Sequence, residues 1–372
     1  MNFVRFVKTP RIGNTPTKKP NAKSNAKKSA TPHLSMILTI TTDFSPFAGL
    51  AELLCQFVSP ANSIVAEQRV HWDGTLRDIK VDMPIPSGSK EGRVVINPID
   101  HSRSETFLSQ FLGRRTNHVV GVETATFSLN ASNRHETVYR QFSLPHGPLQ
   151  IAEQAGETII RHVWDAGIIL SAALTCNSLS ILPDELQQSL RPMFFDREMK
   201  ILELGTGIGI LGVSIATAFP SATVVMTDLL DAQSLVDENT RLNSKNHSQL
   251  MRNASFRALD WEERPFPQWT MMEKFDLIVM ADVTYNTATF IALTDTLEHL
   301  LRTGSKGAKV LCCGKRRHDE EEGFWRLVQE KGFVIHQRVI FAIDLEGIMR
   351  YCGDGVKNEG EQLIDFIAMS LK

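Results

Sequence analysis

The chain has 372 residues, 42% of them hydrophobic and 22% charged, values typical of a globular protein that is long enough to bury a sizeable core. We expect no membrane protein, because no apolar run approaches the roughly 18 to 20 residues of a spanning helix and no signal-peptide core is present. The net charge is −2, but residues 1–42 hold eight basic residues and no acidic ones, so the remainder carries −10 and favours a basic substrate over nucleic acid.

The cysteines also limit the class of protein. They are odd in number and scattered, which favours a reducing compartment, cytoplasmic or nuclear, over a disulfide framework. No Cys-x-x-Cys or His-x-x-x-His spacing occurs, so we expect no metal site. The five positions are Cys55, Cys176, Cys312, Cys313 and Cys352.

The first segment in chain order, residues 1–35, is rich in Lys, Pro, Asn, Ser and Thr, as in "TPTKKPNAKSNAKKSATP". This composition has too few apolar residues to form a core, so it predicts a disordered basic tail. Two alternatives remain open, a nuclear localisation signal suggested by the Lys pairs and an organellar presequence suggested by the absence of acids.

Residues 36–150 show short alternating runs such as "MILTITTDF" and "ETVYRQFSL", separated by Pro, Gly, Asn and Ser. Alternation with a period of two is typical of strands, and the separating residues are typical of turns. The segment is therefore predicted to be an amino-terminal β-rich extension, and it contains no catalytic constellation.

The pattern changes over residues 151–372, where strand-like runs alternate with segments of helical spacing. Such alternation predicts an α/β domain with a Rossmann-like, mostly parallel sheet, closed by an antiparallel last strand. The predicted strands are "MKILEL", "ATVVMTDL", "ASFRALDW", "KFDLIVMADV", "GAKVLCCG", "FVIHQRVIFAI" and "EQLIDFIAMSL".

The turn after the first of these strands, "LELGTGIGILG", contains Gly205, Gly207, Gly209 and Gly212. Glycines let the backbone turn tightly and approach a ligand, and the following helix offers free N–H groups. Three of them satisfy G-x-G-x-x-G, so a dinucleotide is one candidate ligand. Asp228, at the end of the second strand, suits the ribose hydroxyls of a dinucleotide or of another nucleoside, and spacing alone does not decide between them.

Four motifs in order resemble those of a known family. "ILELGTGIGILG" resembles the E-x-G-x-G-x-G motif of seven-strand S-adenosylmethionine-dependent methyltransferases. "VWDAG" (163–167), "LDW" (259–261) and "ADVTY" (281–285) are similar to further signatures of methyltransferase family 16, of the methyltransferase-like 21 type, which methylate lysines of non-histone proteins. The resemblance covers about residues 140–372 and implies a seven-strand sheet.

The same resemblance implies a set of S-adenosylmethionine-binding residues. In it, Asp228 accepts hydrogen bonds from the ribose and Trp261 lies beside the adenine, while Glu203 holds either the methionine amino group or the first turn. The implied residues are Trp164, Glu203, Gly205, Thr206, Gly207, Gly209, Asp228, Trp261 and Ala281.

The family's post-strand-four motif implies that Asp282 and Tyr285 form the catalytic, lysine-binding side. Asp282 would dock and orient the amine, and Tyr285 would wall the channel. An alternative for Asp282 is an N-cap of the helix that begins near Thr287. The charged run "GKRRHDEEEGFW", 314–325, is predicted to be a solvated loop and helix start, with a border of the substrate channel as the alternative.

The resemblance therefore implies a protein-lysine methyltransferase that acts on a non-histone protein. We further expect a monomer, with no nucleic acid partner because the folded part is acidic, and no membrane. Other hypotheses remain open at this point. They are a small-molecule or RNA methyltransferase of the same fold, an NAD-dependent oxidoreductase, and a non-catalytic module that retains the cofactor fold.

Overall fold

A computed structural model describes residues 2–14, 32–41, 47–99, 119–129, 137–155, 161–175, 198–343, 349–352 and 361–372. These residues divide into two compact units. The first unit holds the described residues up to 99, with 119–129, 137–141 and 152–155, and the second holds 142–151 and those from 161 onward.

Strands form the described amino-terminal part of the chain, in agreement with the predicted β-rich extension. In several of them buried and partly exposed positions alternate, as expected for a strand with one face on a core. The strands are β1 Asn2–Asn14, β2 Pro32–Thr41, β3 Ala51–Val58, β4 Ile64–Trp72, β5 Ile79–Pro84, β6 Glu91–Pro98, β7 Val119–Val120, β8 Val122–Thr124, β9 Phe127–Ser128, β10 Thr137–Leu144 and β11 Gly147–Gln154.

These strands form two sheets. One has the order β5-β2-β1-β7, and the other has the order β11-β10-β8-β6-β3-β4, with β9 paired to β6. The alternate residues Leu34, Met36, Leu38 and Ile40 of β2 enter one hydrophobic core together with residues of β3 and β6. The period of two in the sequence thus places one apolar face of each strand inside the unit.

The prediction of a disordered tail over residues 1–35 is wrong for residues 2–14 and 32–35. Strand β1 pairs antiparallel with β2, and Phe3, Val4 and Phe6 are buried. The apolar residues at the start of the chain bury enough surface to order it, which the lysine-rich average of the segment concealed. The rest of the predicted tail, 15–31, lies outside the described residues.

The second unit alternates strands with helices. Its elements are α1 Asp165–Thr175, β12 Lys200–Leu204, α2 Ile210–Ala218, β13 Thr223–Asp228, α3 Gln233–Ser244, α4 Leu250–Asn253, β14 Ala254–Ala258, α5 Trp269–Met272, β15 Leu277–Ala281, α6 Phe290–Thr303, β16 Lys309–Arg316, α7 Glu322–Glu330, β17 Phe333–Ile343, β18 Met349–Tyr351 and β19 Gln362–Leu371. Three short 3-10 turns, Leu230–Ala232, Thr287–Thr289 and Asp319–Glu321, precede α3, α6 and α7.

The sheet of this unit has the order β14-β13-β12-β15-β16-β19-β17-β18. Strands β12 to β16 pair in parallel, whereas β19 inserts antiparallel between β16 and β17. The predicted Rossmann-like sheet with an antiparallel last strand is confirmed. The short strand β18 extends the seven predicted strands at the β17 edge.

The order of the parallel strands positions the site. Because β12, β13 and β15 run in the same direction and are neighbours, their carboxyl ends meet at one edge of the sheet, where ligands bind in such folds. Strands β12 and β15 are almost completely buried, and every residue of α1 is buried. No helix among the described residues is long and apolar enough to cross a membrane.

Candidate active site

The glycine turn between β12 and α2 adopts a conformation that only glycine takes without strain. Gly205, Gly207 and Gly209 have φ angles of 68°, 56° and 84°. A Cβ on Gly205 would lie 2.5 Å from Val283 Cγ1 and 3.3 Å from the Trp261 ring. The turn therefore brings bare backbone to the carboxyl edge of the sheet, and α2 begins directly after it.

Glu203 and Thr206 lie beneath this turn. The Thr206 hydroxyl donates a hydrogen bond of 2.6 Å to Glu203 Oε2, and a Cβ on Gly212 would lie 2.5 Å from the same oxygen. Burial raises the pKa of Glu203 to about 8. Glu203 thus supports the turn from below, and of the two roles implied for it, the structure places it in the second.

A pocket of about 340 Å³ opens beside the turn. Of the predicted site residues, the structure brings Trp164, Gly205, Gly207, Asp228, Trp261, Ala281, Asp282 and Tyr285 together in its wall. It does not bring Glu203, Thr206 or Gly209 there. Further lining residues were not predicted from the sequence, namely Leu229, Leu259, Asp260, Glu262, Val283, Asn286 and Thr289. Arg317 also lines the pocket and belongs to the charged run 314–325.

Asp228 ends β13 at the floor of the pocket. Its carboxylate accepts hydrogen bonds of 2.8 Å from the backbone N–H groups of Gly207 and Leu229. An ionised carboxylate has about four acceptor positions, so about two remain for a ligand. Burial raises the pKa of Asp228, against the effect of the two backbone donors.

Trp261 forms another wall. Its indole packs against the core of the unit, and its Nε1 is buried without a hydrogen-bond partner in the part of the chain that the structure describes. A buried indole N–H normally has a partner, so this unsatisfied donor is an exception in a residue that lines the pocket.

Asp282 directly follows β15, and its carboxylate accepts hydrogen bonds from α1, from β16 and from the loop after β16. Its Oδ1 accepts hydrogen bonds from Lys315 N at 3.0 Å and Arg317 Nη1 at 2.9 Å, and its Oδ2 accepts one from Ala166 N at 3.0 Å. Its φ of 53° is left-handed, which is uncommon for a residue other than glycine and is maintained here by these contacts. The carboxylate is therefore fixed rather than free.

The alternative of Asp282 as the N-cap of the next helix is wrong. Asn286 has that role, because its side chain accepts a hydrogen bond of 3.1 Å from Ala288 N at the start of the 3-10 turn before α6. Tyr285 is about half exposed at the pocket mouth. Burial, followed by the charge of Asp228, raises the pKa of its hydroxyl.

The predicted solvated loop over 314–325 is wrong for two of its basic residues. Lys315 is 5% exposed, and its ammonium is 2.9 Å from Asp165 Oδ2 at the start of α1. Arg317 lines the pocket, where its guanidinium lies 5.3 Å from the centre of the Trp164 ring. The alternative for this run, a border of the substrate channel, agrees with the position of Arg317 in the pocket wall.

The residues of the pocket fit S-adenosylmethionine. The open acceptor positions of Asp228 and the Trp261 ring suit a nucleoside, and the glycine turn, which has no space for a Cβ at Gly205, brings bare backbone to the same pocket. Ala281 and Asp282 border the same space at the end of β15. These residues would hold the cofactor.

Comparison with known proteins agrees with this chemistry. The model of the family described as lysine methyltransferase matches residues 143–331. A UPF0665 family protein of Schizosaccharomyces pombe is 28% identical over 302 residues, covering 78% of this chain and 85% of its own.

Two relatives have names that describe an activity. A protein N-lysine methyltransferase of Mus musculus, METTL21A, is 28% identical and covers 51% of this chain and 77% of its own. The EEF1A lysine methyltransferase 3 of Mus musculus is 32% identical and covers 37% and 54%. Because the family model matches about half of the chain and spans every wall of the pocket, the chain belongs to the lysine methyltransferase family and is an S-adenosylmethionine-dependent protein-lysine N-methyltransferase.

Proposed function

We propose that the chain methylates a lysine of a non-histone protein, and that the lysine enters on the side of the pocket lined by Asp282 and Tyr285. The observation that carries this proposal is the fixed carboxylate of Asp282, which lines the pocket together with Ala281 and the half-exposed Tyr285. One acceptor position of Oδ2 is not used by the Ala166 bond, so an amine N–H can donate to it.

The chemistry divides between cofactor and chain. When bound, S-adenosylmethionine would supply an electrophilic methyl group to the lysine nitrogen and would leave as S-adenosylhomocysteine. The chain must present the nitrogen as a neutral amine, whereas a free lysine has a pKa of about 10.4. Its proton passes to water as the side chain enters the partly desolvated channel, and Asp282 orients the lone pair through the remaining N–H.

The substrate class follows from the charges at the mouth. Asp260 and Glu262 line the pocket with Asp228, so a segment with basic residues around the target lysine is favoured over an acidic one. One relative is named for EEF1A, which supports a protein substrate. We further propose that the enzyme acts as a monomer in the cytoplasm or nucleus, without a nucleic acid partner.

The test uses tritiated S-adenosylmethionine and a lysate from cells that lack this protein. We expect label in protein with the wild type, none when the lysines of the lysate have been blocked by acetylation, which removes the nucleophilic lone pair, and none with Asp282→Ala. The affinity of this variant for S-adenosylhomocysteine should stay within about tenfold of that of the wild type, because the Asp282 carboxylate lies on the side of the lysine and not of the cofactor.

Asp319→Ala is the matched control, because this exposed carboxylate lies in the loop after β16 and does not line the pocket. It should label like the wild type. Label that appears in RNA or in small molecules instead of protein would contradict the proposal and favour the alternative methyltransferase substrates. Wild-type labelling by Asp282→Ala would contradict the role of Asp282.

A further inference from the structure

Arg317 lies in the pocket wall, on the proposed acceptor side. Its Nη1 donates to Asp282 Oδ1 at 2.9 Å and to the Lys315 carbonyl at 3.0 Å, and its guanidinium lies over the Trp164 ring. Its backbone N–H donates to Glu321 Oε1 at 3.0 Å, which ties the loop to the start of α7. The guanidinium is thus held at the pocket wall, with its side chain 11% exposed.

Arg316 and Arg317 differ although they are adjacent. Arg316 ends β16 and turns to the opposite face of the sheet, where it pairs with Asp365 of β19 and Glu322 of α7. Arg317 faces the pocket. The alternation of a strand separates the two charges, so only the second acts on the acceptor side.

Several charged or titratable groups line the pocket with Arg317 or belong to its loop and the contacts of that loop. The charge of Arg317 reaches Tyr285 across the pocket, where it lowers the pKa of the hydroxyl against the raising effects of burial and Asp228. The groups on its own loop and on the neighbouring elements are Asp165 with Lys315, Asp228, Asp260, Glu262, Asp282, Tyr285, His318 and Glu321.

We propose that Arg317 is a positioning residue for the methyl transfer proposed above: it holds Asp282 in place, and its permanent positive charge makes the target lysine react as the neutral amine. A guanidinium remains charged at every working pH. A like charge beside an amine disfavours the ammonium form. Arg317 also neutralises Asp282, so its removal would leave an anion that favours the ammonium form of the lysine. The loss of the positive charge and the unpaired Asp282 would therefore both raise the pKa of the target lysine.

The inference rests on the proposed function and has its own readout. The initial rate of tritium transfer into lysate protein is measured from pH 6 to 10 at saturating S-adenosylmethionine. For Arg317→Gln we expect the rise of the rate with pH to move about one unit to higher pH. Arg317→Lys keeps a positive charge and should retain the wild-type midpoint at a lower maximum rate.

Arg316→Gln is the matched control, since it removes one charge from the neighbouring residue on the other face, and its profile should coincide with the wild type. Titration with S-adenosylhomocysteine at pH 7 checks folding and cofactor binding without catalysis, and all three variants should bind within about threefold of wild type.

Three results would overturn the inference. One is an Arg317→Gln profile that is lower but not displaced, which would indicate a structural role alone. Another is a loss of S-adenosylhomocysteine affinity beyond tenfold, which would make Arg317 a cofactor contact. The third is an equal displacement in Arg316→Gln. If the wild type labels no protein at all, the proposed function falls and this inference falls with it.

Discussion

Replacing Glu203 by glutamine should remove a pH dependence of stability from the methyltransferase unit. Burial beneath the glycine turn raises the pKa of Glu203 from 4.5 to about 8, although Thr206 and Gly212 donate hydrogen bonds to the carboxylate. In the unfolded chain the carboxyl ionises at its ordinary pKa, so between these two values unfolding releases a proton. The stabilisation is fully present below the unfolded pKa and is lost as the pH rises through about 8.

The magnitude follows from the shift. At about 1.4 kcal/mol per pKa unit, the full difference corresponds to roughly 5 kcal/mol, of which roughly 3 kcal/mol falls between pH 6 and pH 9. Glutamine has nearly the same shape and does not ionise. We therefore expect the free energy of unfolding of the wild type to fall by a few kcal/mol over this interval relative to that of Glu203→Gln.

Urea unfolding at pH 6, 7, 8 and 9, followed by tryptophan fluorescence, measures this difference. Four of the five tryptophans, Trp164, Trp261, Trp269 and Trp325, belong to the methyltransferase unit, so the signal reports mainly on it. Glu330→Gln is the control, because this carboxyl is exposed at the end of α7. Its free energy of unfolding should depend on pH as that of the wild type does. If the free energy of unfolding changes with pH in the same way for wild type and Glu203→Gln, the reasoning is refuted.

Two further substitutions test the packing of the site. Gly205→Ala places a methyl group 2.5 Å from Val283 Cγ1 at a φ of 68°, so we expect at least a tenfold loss of S-adenosylhomocysteine affinity by isothermal titration; unchanged affinity would contradict the close approach. Lys315→Met removes one ammonium partner of the buried Asp165 carboxylate, which should cost about 2 kcal/mol. Thermal melting measures it against Lys306→Met, an exposed lysine, and equal shifts in the two variants would exclude a stabilising pair.

Local patterns in the sequence were sufficient for the parts of the site that depend on strand ends. Asp228 and Ala281 end buried strands, and parallel strands bring their carboxyl ends together, so both residues meet at the pocket. The glycine turn was also predictable from a local pattern, because positive φ angles in a βα turn require glycine.

The partners of Asp282 were not predictable in this way. They come from Ala166, which is 116 residues away in the chain, and from Lys315 and Arg317, which are 33 and 35 residues away. Such contacts depend on how α1 and β16 pack in three dimensions, and no single-sequence periodicity contains that information.

Arg317 is an intermediate case. A charge run is usually solvated, and composition alone supported that prediction for 314–325. The run follows a buried strand, however, and continuing the period of two past Cys313 places Lys315 and Arg317 on one face and Arg316 on the other. The strand alternation therefore indicated that Arg317 faces inward, but the high charge of the segment favoured the prediction of a solvated loop.

A crystal structure of the full chain with S-adenosylhomocysteine tests the assignment of the pocket most directly. We expect the adenine beside Trp261, the ribose hydroxyls on the Asp228 carboxylate, and the sulfur toward the side of the pocket lined by Asp282 and Arg317. A nucleoside bound outside this pocket, or a ribose without contact to Asp228, would contradict it.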